Sequence, residues 1–139
     1  LVDLGSGAGF PGLVLAILGI PGVELIEADA RKCAFLREAA RVSGTAIRIR
    51  HTRIEAAPPS PATVVTARAC APLDRLLVLA ERLIGPETRC LLLKGERVGE
   101  ELTAARRAWT MTASCHASRA QPGGVILCLE HVAREPRRA

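Results

Sequence analysis

The chain reads as an α/β domain built on a doubly wound, mostly parallel sheet, and three observations say so. Short apolar runs of strand type alternate with helical patterns from end to end. The first run carries an acid, Asp3, and leads directly into a glycine loop, Gly5-Ser6-Gly7-Ala8-Gly9. The last two runs flank a Pro122-Gly123-Gly124 turn, which sets an antiparallel strand near the C-terminal end of the sheet. Seven strand-like runs occur in the 139 residues, and this length suits one domain over 1–139 that needs no disulfide staples.

Taken in order, Leu1 to Leu4 is the end of a strand, and a short apolar helix starts near Pro11, whose missing N–H costs nothing in a first turn. Val23 to Ile26 is the second strand. Ala30 to Ser43 follows as a helix with Cys33, Leu36 and Ala40 in one stripe, an N-cap at Asp29 and a stop at Gly44. Ala46 to His51 alternates apolar and basic residues as a half-exposed edge strand does. After a Pro-rich loop at Ala57 to Pro61, Thr63 to Ala67 is a buried strand. Residues 72–84 form a helix with Leu73, Leu76, Leu77, Ala80, Leu83 and Ile84 on its apolar face. Cys90 to Leu93 is a strand ending at Lys94-Gly95. Residues 98–109 are expected as a helix with Val98, Leu102, Ala105 and Trp109 in its stripe, and strands at Thr110–His116 and Val125–Val132 complete the set.

Composition narrows the function classes. The net charge is +5, and all but two of the 19 basic residues are Arg, a bias suited to bidentate phosphate contacts and compatible with an RNA partner. The clusters Arg31-Lys32, Arg48-Ile49-Arg50-His51 and Arg137-Arg138 are candidates for such contacts or simply charged surface. Aromatic residues make up only 2%, so capture of single strands by stacking is a poor model. The five cysteines are odd in number and none is paired at metal or redox spacing, which points to a reduced, cytoplasmic protein without a metal site. The longest apolar run, Leu13 to Ile20, is far short of the roughly 20 residues that span a bilayer, and no membrane is expected as partner. The oligomeric state stays open, with a monomer favoured.

The glycine loop carries the chemistry. Glycines after a strand let backbone approach a ligand closely. A dinucleotide fingerprint asks for G-x-G-x-x-G, but Phe10 takes the third glycine position. An amino-acid carboxylate and a ribose fit this loop better than a diphosphate, and a nicotinamide-dependent oxidoreductase is the weaker reading. Glu27 ends the second strand where an acid hydrogen-bonds ribose hydroxyls, while Asp29 reads as a helix cap.

The D-x-G-x-G-x-G pattern resembles motif I of the class I, Rossmann-like S-adenosylmethionine-dependent methyltransferases. The longer run Leu1-Val-Asp-Leu-Gly-Ser-Gly-Ala-Gly-Phe-Pro-Gly12 resembles one family among them, the small-subunit ribosomal RNA methyltransferase G, or glucose-inhibited division protein B. Phe35-Leu36-Arg37, Arg53-Ile54-Glu55, Ala67-Arg68-Ala69 and Lys94-Gly95 follow in the family's order. The resemblance implies S-adenosylmethionine as cofactor and methyl transfer to guanine N7 in the 530 loop of 16S ribosomal RNA, on the small ribosomal subunit. It implies cofactor contacts from Gly5, Gly7, Gly9, Phe10, Glu27, Ile54, Glu55 and Arg68, with Ile54 and Glu55 beside the adenine. Arg68 should lie at the mouth of the site, and Lys94, by its place at the end of the fifth strand, is a candidate contact to RNA phosphate or the guanine carbonyl. The family also carries an N-terminal helical segment ahead of the first strand, absent from this sequence.

Other chemistries remain alternatives: another class I methyltransferase acting on an RNA base or a small molecule, the oxidoreductase, or a binding module that keeps the fold without catalysis. Guanine N7 is already a lone-pair nucleophile, so no general base is needed and none stands out as a catalytic residue. Pyrimidine C5 methylation needs a nucleophilic cysteine. Cys70 is the candidate by position, but its small apolar neighbours favour a packing role. Ile54 is open to core packing, Glu55 and Arg68 to a surface ion pair, and Lys94 to a solvated strand end.

Overall fold

A computed structural model of the chain describes residues 1–136. Its strands are β1 (Val2–Leu4), β2 (Glu24–Glu27), β3 (Arg48–His51), β4 (Val64–Arg68), β5 (Arg89–Lys94), β6 (Trp109–Ala117) and β7 (Val125–Arg134). The helices are α1 (Gly12–Ile17), α2 (Ala30–Ser43), α3 (Leu73–Ala80) and α4 (Val98–Ala105). All seven strands form one sheet in the order β3-β2-β1-β4-β5-β7-β6. β1 to β5 pair in parallel, and β7 runs antiparallel to both of its neighbours.

Alternation along the strands sends side chains to two cores, as the period of two requires. Leu25 joins Leu13, Ala16, Leu36 and Ala40 in a cluster under α1 and α2. Its neighbour Ile26 joins Leu4, Val65, Ala67, Leu92 and Leu127 in a larger cluster that takes in α3 and α4. The chain order reverses between β1 and β4, the adjacent strands on which an open α/β sheet leaves a crevice at its carboxyl edge.

The edge strand β3 shows why it tolerates charge: Arg48 and Arg50 lie 3.9 and 2.6 Å from Glu24 on β2. Glu24 thus pairs both arginines of a stretch that the sequence offered as an RNA contact or as charged surface. Arg31-Lys32 lies exposed in the first turn of α2, and Arg137-Arg138 falls outside the described residues.

Two helices end sooner than expected. The pattern over 72–84 is α-helical only to Ala80, after which Glu81–Leu83 tighten into a 3-10 turn that keeps Leu83 buried. The helix over 98–109 stops at Ala105, and Trp109 belongs to β6, not to the helical stripe. Trp109 is buried in the larger core with the Arg134 guanidinium 5.6 Å from its ring centroid, so tertiary burial of one large ring overrides a periodic match. Among the described residues no helix is long and apolar enough to cross a membrane.

Candidate functional site

The site begins with a buried acid. Asp3 is 1% exposed, and its Oδ1 accepts a 2.7 Å hydrogen bond from the Thr66 hydroxyl of β4. Its Oδ2 accepts from the Gly12 N–H at 3.3 Å, so one carboxylate joins β1, β4 and the start of α1. Burial raises its pKa, and the Thr66 hydrogen bond offsets this only in part. Asp3 is therefore a clasp beneath the loop, out of a ligand's reach.

Above it the loop is held from two sides. Ser6 donates its N–H to the Ile26 carbonyl and its hydroxyl to the Asp3 carbonyl, both at 3.1 Å. Gly7 donates its N–H to Glu27 Oε2 at 2.8 Å, and Asp29 donates to Oε1 at 2.9 Å. Glu27 thus spends one interaction per oxygen on the protein, and an ionised carboxylate offers about four acceptor sites. Asp29 caps α2 as expected, accepting from Arg31 and Lys32 N–H groups at 2.8 and 3.0 Å.

The loop glycines serve different ends. Gly5, Gly7 and Gly9 all have positive φ, at 61°, 56° and 93°. A Cβ on Gly9 would lie 2.7 Å from Leu13, and one on Gly12 would lie 2.5 Å from the Asp3 Cβ. These two glycines let α1 settle onto the strands. A Cβ on Gly5 would meet Cys70 Sγ at 3.0 Å, whereas the Cβ direction of Gly7 is nearly open, its nearest neighbour being a carbonyl 3.8 Å away. The loop therefore presents its uncovered face at Gly7.

Across the mouth, the Arg68 guanidinium stands 5.3 Å from the centroid of the half-exposed Phe10 ring, joining the end of β4 to the loop. Ala69 then takes a left-handed φ of 47°, the sharp exit from β4 that leads into Cys70. Burial pushes the Cys70 thiol up from its ordinary value, against the lowered thiol that marks an activated nucleophile. Ile54 is buried in the larger core, in a 3-10 turn after β3. Glu55 is exposed and faces Arg53 at 3.6 Å, which replaces the Glu55–Arg68 pair considered from sequence.

Beside the loop lies a cavity of about 460 Å³ at the carboxyl ends of β4 and β5, lined by Arg68, Cys70, Lys94, Glu101, Ser118 and Gln121, among others. Lys94 is not a solvated strand end. Its side chain is 8% exposed, and Nζ donates at 2.8 Å both to the Ala71 carbonyl and to Glu101 Oε2. The same Glu101 oxygen accepts the Leu73 N–H at the start of α3. Thr66, Gly12, Glu101, Ser118 and Gln121 were not singled out by sequence reasoning. Only Gly12 sat within a noted motif; the others are ordinary polar residues until the fold gathers them.

The model of the GidB family, described as rRNA small subunit methyltransferase G, matches residues 1–122. The chain belongs to that family. It is 55% identical over 134 residues to the ribosomal RNA small subunit methyltransferase G of Paramagnetospirillum magneticum, covering 96% of this chain and 65% of the relative. It is 54% identical to that of Rhodospirillum centenum, covering 96% of this chain and 62% of the relative. The chain thus spans just under two thirds of the length of these two relatives.

Solved structures bear on the fold of this family member. A ribosomal protein L11 methylase from Lactobacillus delbrueckii subsp. bulgaricus superposes with a TM-score of 0.70 at 17% identity, covering 97% of this chain and 69% of that one. A TehB-like SAM-dependent methyltransferase from Corynebacterium glutamicum gives 0.68 at 15% identity, covering 94% and 78%. The fold is that of the class I methyltransferases, with the antiparallel β7 inserted between β5 and β6.

Proposed function

We propose that the protein carrying this chain is an S-adenosylmethionine-dependent methyltransferase acting on guanine N7 in the 530 loop of 16S ribosomal RNA. The observation that carries the reading is the pairing of two adjoining spaces at the carboxyl edge of the sheet. One is the glycine cradle open at Gly7, and the other is the cavity behind Cys70 and Lys94. A cofactor in the first and a base in the second meet near Cys70, where the loop touches the end of β4.

The residues fit the cofactor. The Glu27 carboxylate retains acceptor capacity for ribose hydroxyls, and the Gly5-Ser6-Gly7-Ala8-Gly9 turn offers backbone that is open to a ligand at Gly7. In this reading Phe10 borders the loop, Glu55 and the rim of the mostly buried Ile54 would take the adenine, and Arg68 would supply the cation for the methionine carboxylate. When bound, S-adenosylmethionine supplies a sulfonium methyl that passes to a nucleophile by in-line displacement, the carbon–sulfur bond breaking as the new bond forms. The protein's part is to align the acceptor and exclude water, which is sufficient because N7 carries no proton to be removed. Cys70 sits among small apolar neighbours with its thiol pushed up by burial, which lends no support to pyrimidine C5 chemistry.

Residues 1–139 are the cofactor-binding domain in this reading, 16S ribosomal RNA in the small subunit is the partner, and the cytoplasm is the place of action. The test is transfer of a labelled methyl group by the full-length protein to small subunits and to free 16S RNA, with the modified base mapped. Label at N7 of a guanine in the 530 loop is expected. Label on a pyrimidine carbon or an exocyclic amine would sink the assignment.

A further inference from the structure

The cavity beyond Cys70 contains a charged pair whose hydrogen bonding is incomplete. An ammonium carries three hydrogens. Lys94 spends two of them, on the Ala71 carbonyl and on Glu101 Oε2, and its side chain lines the cavity at 8% exposure. The third has no acceptor among the described residues. Glu101, also in the lining, directs Oε2 at both Lys94 and the Leu73 N–H, while its Oε1 makes no hydrogen bond among the described residues. One donor and one acceptor, fixed to each other, therefore remain for a ligand.

A guanine edge has the matching pattern. O6 accepts and the adjacent N1–H donates, whereas adenine reverses both with an N6 amine and a bare N1. We propose that Lys94 and Glu101 are the specificity pair of this site, Lys94 donating to O6 and Glu101 accepting from N1–H of the target guanine. This inference rests on the guanine-N7 reading above and deepens it. N7 lies on the other side of O6 from N1, so an edge gripped at O6 and N1 leaves the N7 lone pair uncovered.

The pairing also resolves an electrostatic difficulty. Methyl transfer leaves positive charge on the guanine ring, and a bare ammonium at O6 would oppose it. Glu101 neutralises Lys94, so O6 is read by a donor with little net field. As the ring becomes cationic its N1–H becomes a stronger donor, and the bond to Glu101 is tightest in the transition state. The carboxylate thus favours the reaction as well as the base.

The experiment uses the full-length protein and small-subunit particles reconstituted with RNA bearing guanine, inosine or 2-aminopurine at the target position. Inosine keeps O6 and N1–H, whereas 2-aminopurine keeps N7 and the 2-amino group but lacks both. The expected wild-type result is similar kcat/KM for guanine and inosine and a value about 100-fold lower for 2-aminopurine, as for a buried hydrogen-bonding group left without its partner. In Lys94→Met and Glu101→Gln the preference shrinks to about tenfold or less, with cofactor affinity by calorimetry at the wild-type value. Glu101→Gln retains an acceptor for Leu73 and serves where Lys94→Met does not fold. Equal wild-type rates on guanine and 2-aminopurine would overturn the pair, as would variants that slow on all three bases in equal proportion. Failure of the wild-type protein to modify guanine N7 at all would instead overturn the function on which the pair rests.

Discussion

The two sides of the site are built in opposite ways. On the loop side, residues 3–12 are contiguous, and their tightness comes from backbone placed against buried side chains: Gly9 against Leu13, Gly12 against Asp3 and Leu25. On the cavity side, Arg68, Cys70, Lys94, Glu101, Ser118 and Gln121 come from separate segments brought together by the carboxyl ends of β4 and β5. Close steric fit governs the first and charge pairing the second. The loop side should therefore resist any added atom, whereas the cavity side should tolerate added volume away from its polar pair.

The largest expected effect is at the open face of the loop. Gly7→Val places two methyl groups where a ligand's backbone contact is needed, and calorimetry should detect no S-adenosylmethionine binding. The cost to folding should stay near that of one left-handed residue, about 1–2 kcal/mol. Unchanged affinity would remove the loop from the cofactor site and end the contrast between the two sides.

Gly12→Ala tests the packing that underlies the loop. A methyl there meets the Asp3 Cβ at 2.5 Å and Leu25 at 2.6 Å in buried surroundings. Overpacking of this kind typically costs about 1–3 kcal/mol, and two contacts this close put the expectation near the upper end. Urea denaturation reads it directly, and a loss within error of zero would mean that α1 shifts without penalty.

Thr66→Val should cost about 1–2 kcal/mol, because the one side-chain hydroxyl bonded to the buried Asp3 carboxyl from β4 is removed. Burial raises the Asp3 pKa above its ordinary 3.8. The folded state thus favours the protonated acid, and Asp3's contribution to stability is present below that value and lost as pH rises through the folded pKa. Without the Thr66 hydroxyl the carboxylate is harder to ionise, so the variant's deficit should be larger at pH 7 than near pH 4. Equal deficits at both pH values would remove Asp3 as the titrating group.

The smallest effect has the opposite sign. Gly99 lies within α4 with nothing within 4 Å of its Cβ direction. Gly99→Ala, in the first turn of α4 and not its interior, should stabilise the chain by about 0.5 kcal/mol through reduced backbone entropy of the unfolded chain. Destabilisation there would show that the cavity side is as tightly fitted as the loop.

The loop side was legible in the sequence because its signal is local. A strand acid, three glycines and a second acid some twenty residues on define one turn and its partner, and each was found near its expected place. The cavity side was not, since nothing within a short window relates Lys94 to Glu101 or Cys70 to Gly5. Lys94 could be read from sequence as a substrate contact or as a solvated strand end, and its pairing appeared only when α4 carried Glu101 against it. Trp109 shows the same limit from the other direction: a helical period included it, and burial in the core placed it in β6.

By itself the sequence determined the alternation of elements, the glycine loop, the cap at Asp29 and the charged edge of β3. Each follows from the conformational preferences of neighbours along the chain. Only the tertiary structure decided that Asp3 is a clasp and not a ligand, that the glycines divide between packing and openness, and that Lys94 is held by Glu101. Those outcomes depend on which side chains meet across the switch between β1 and β4, and the meeting is a consequence of sheet order and burial, which no single segment specifies.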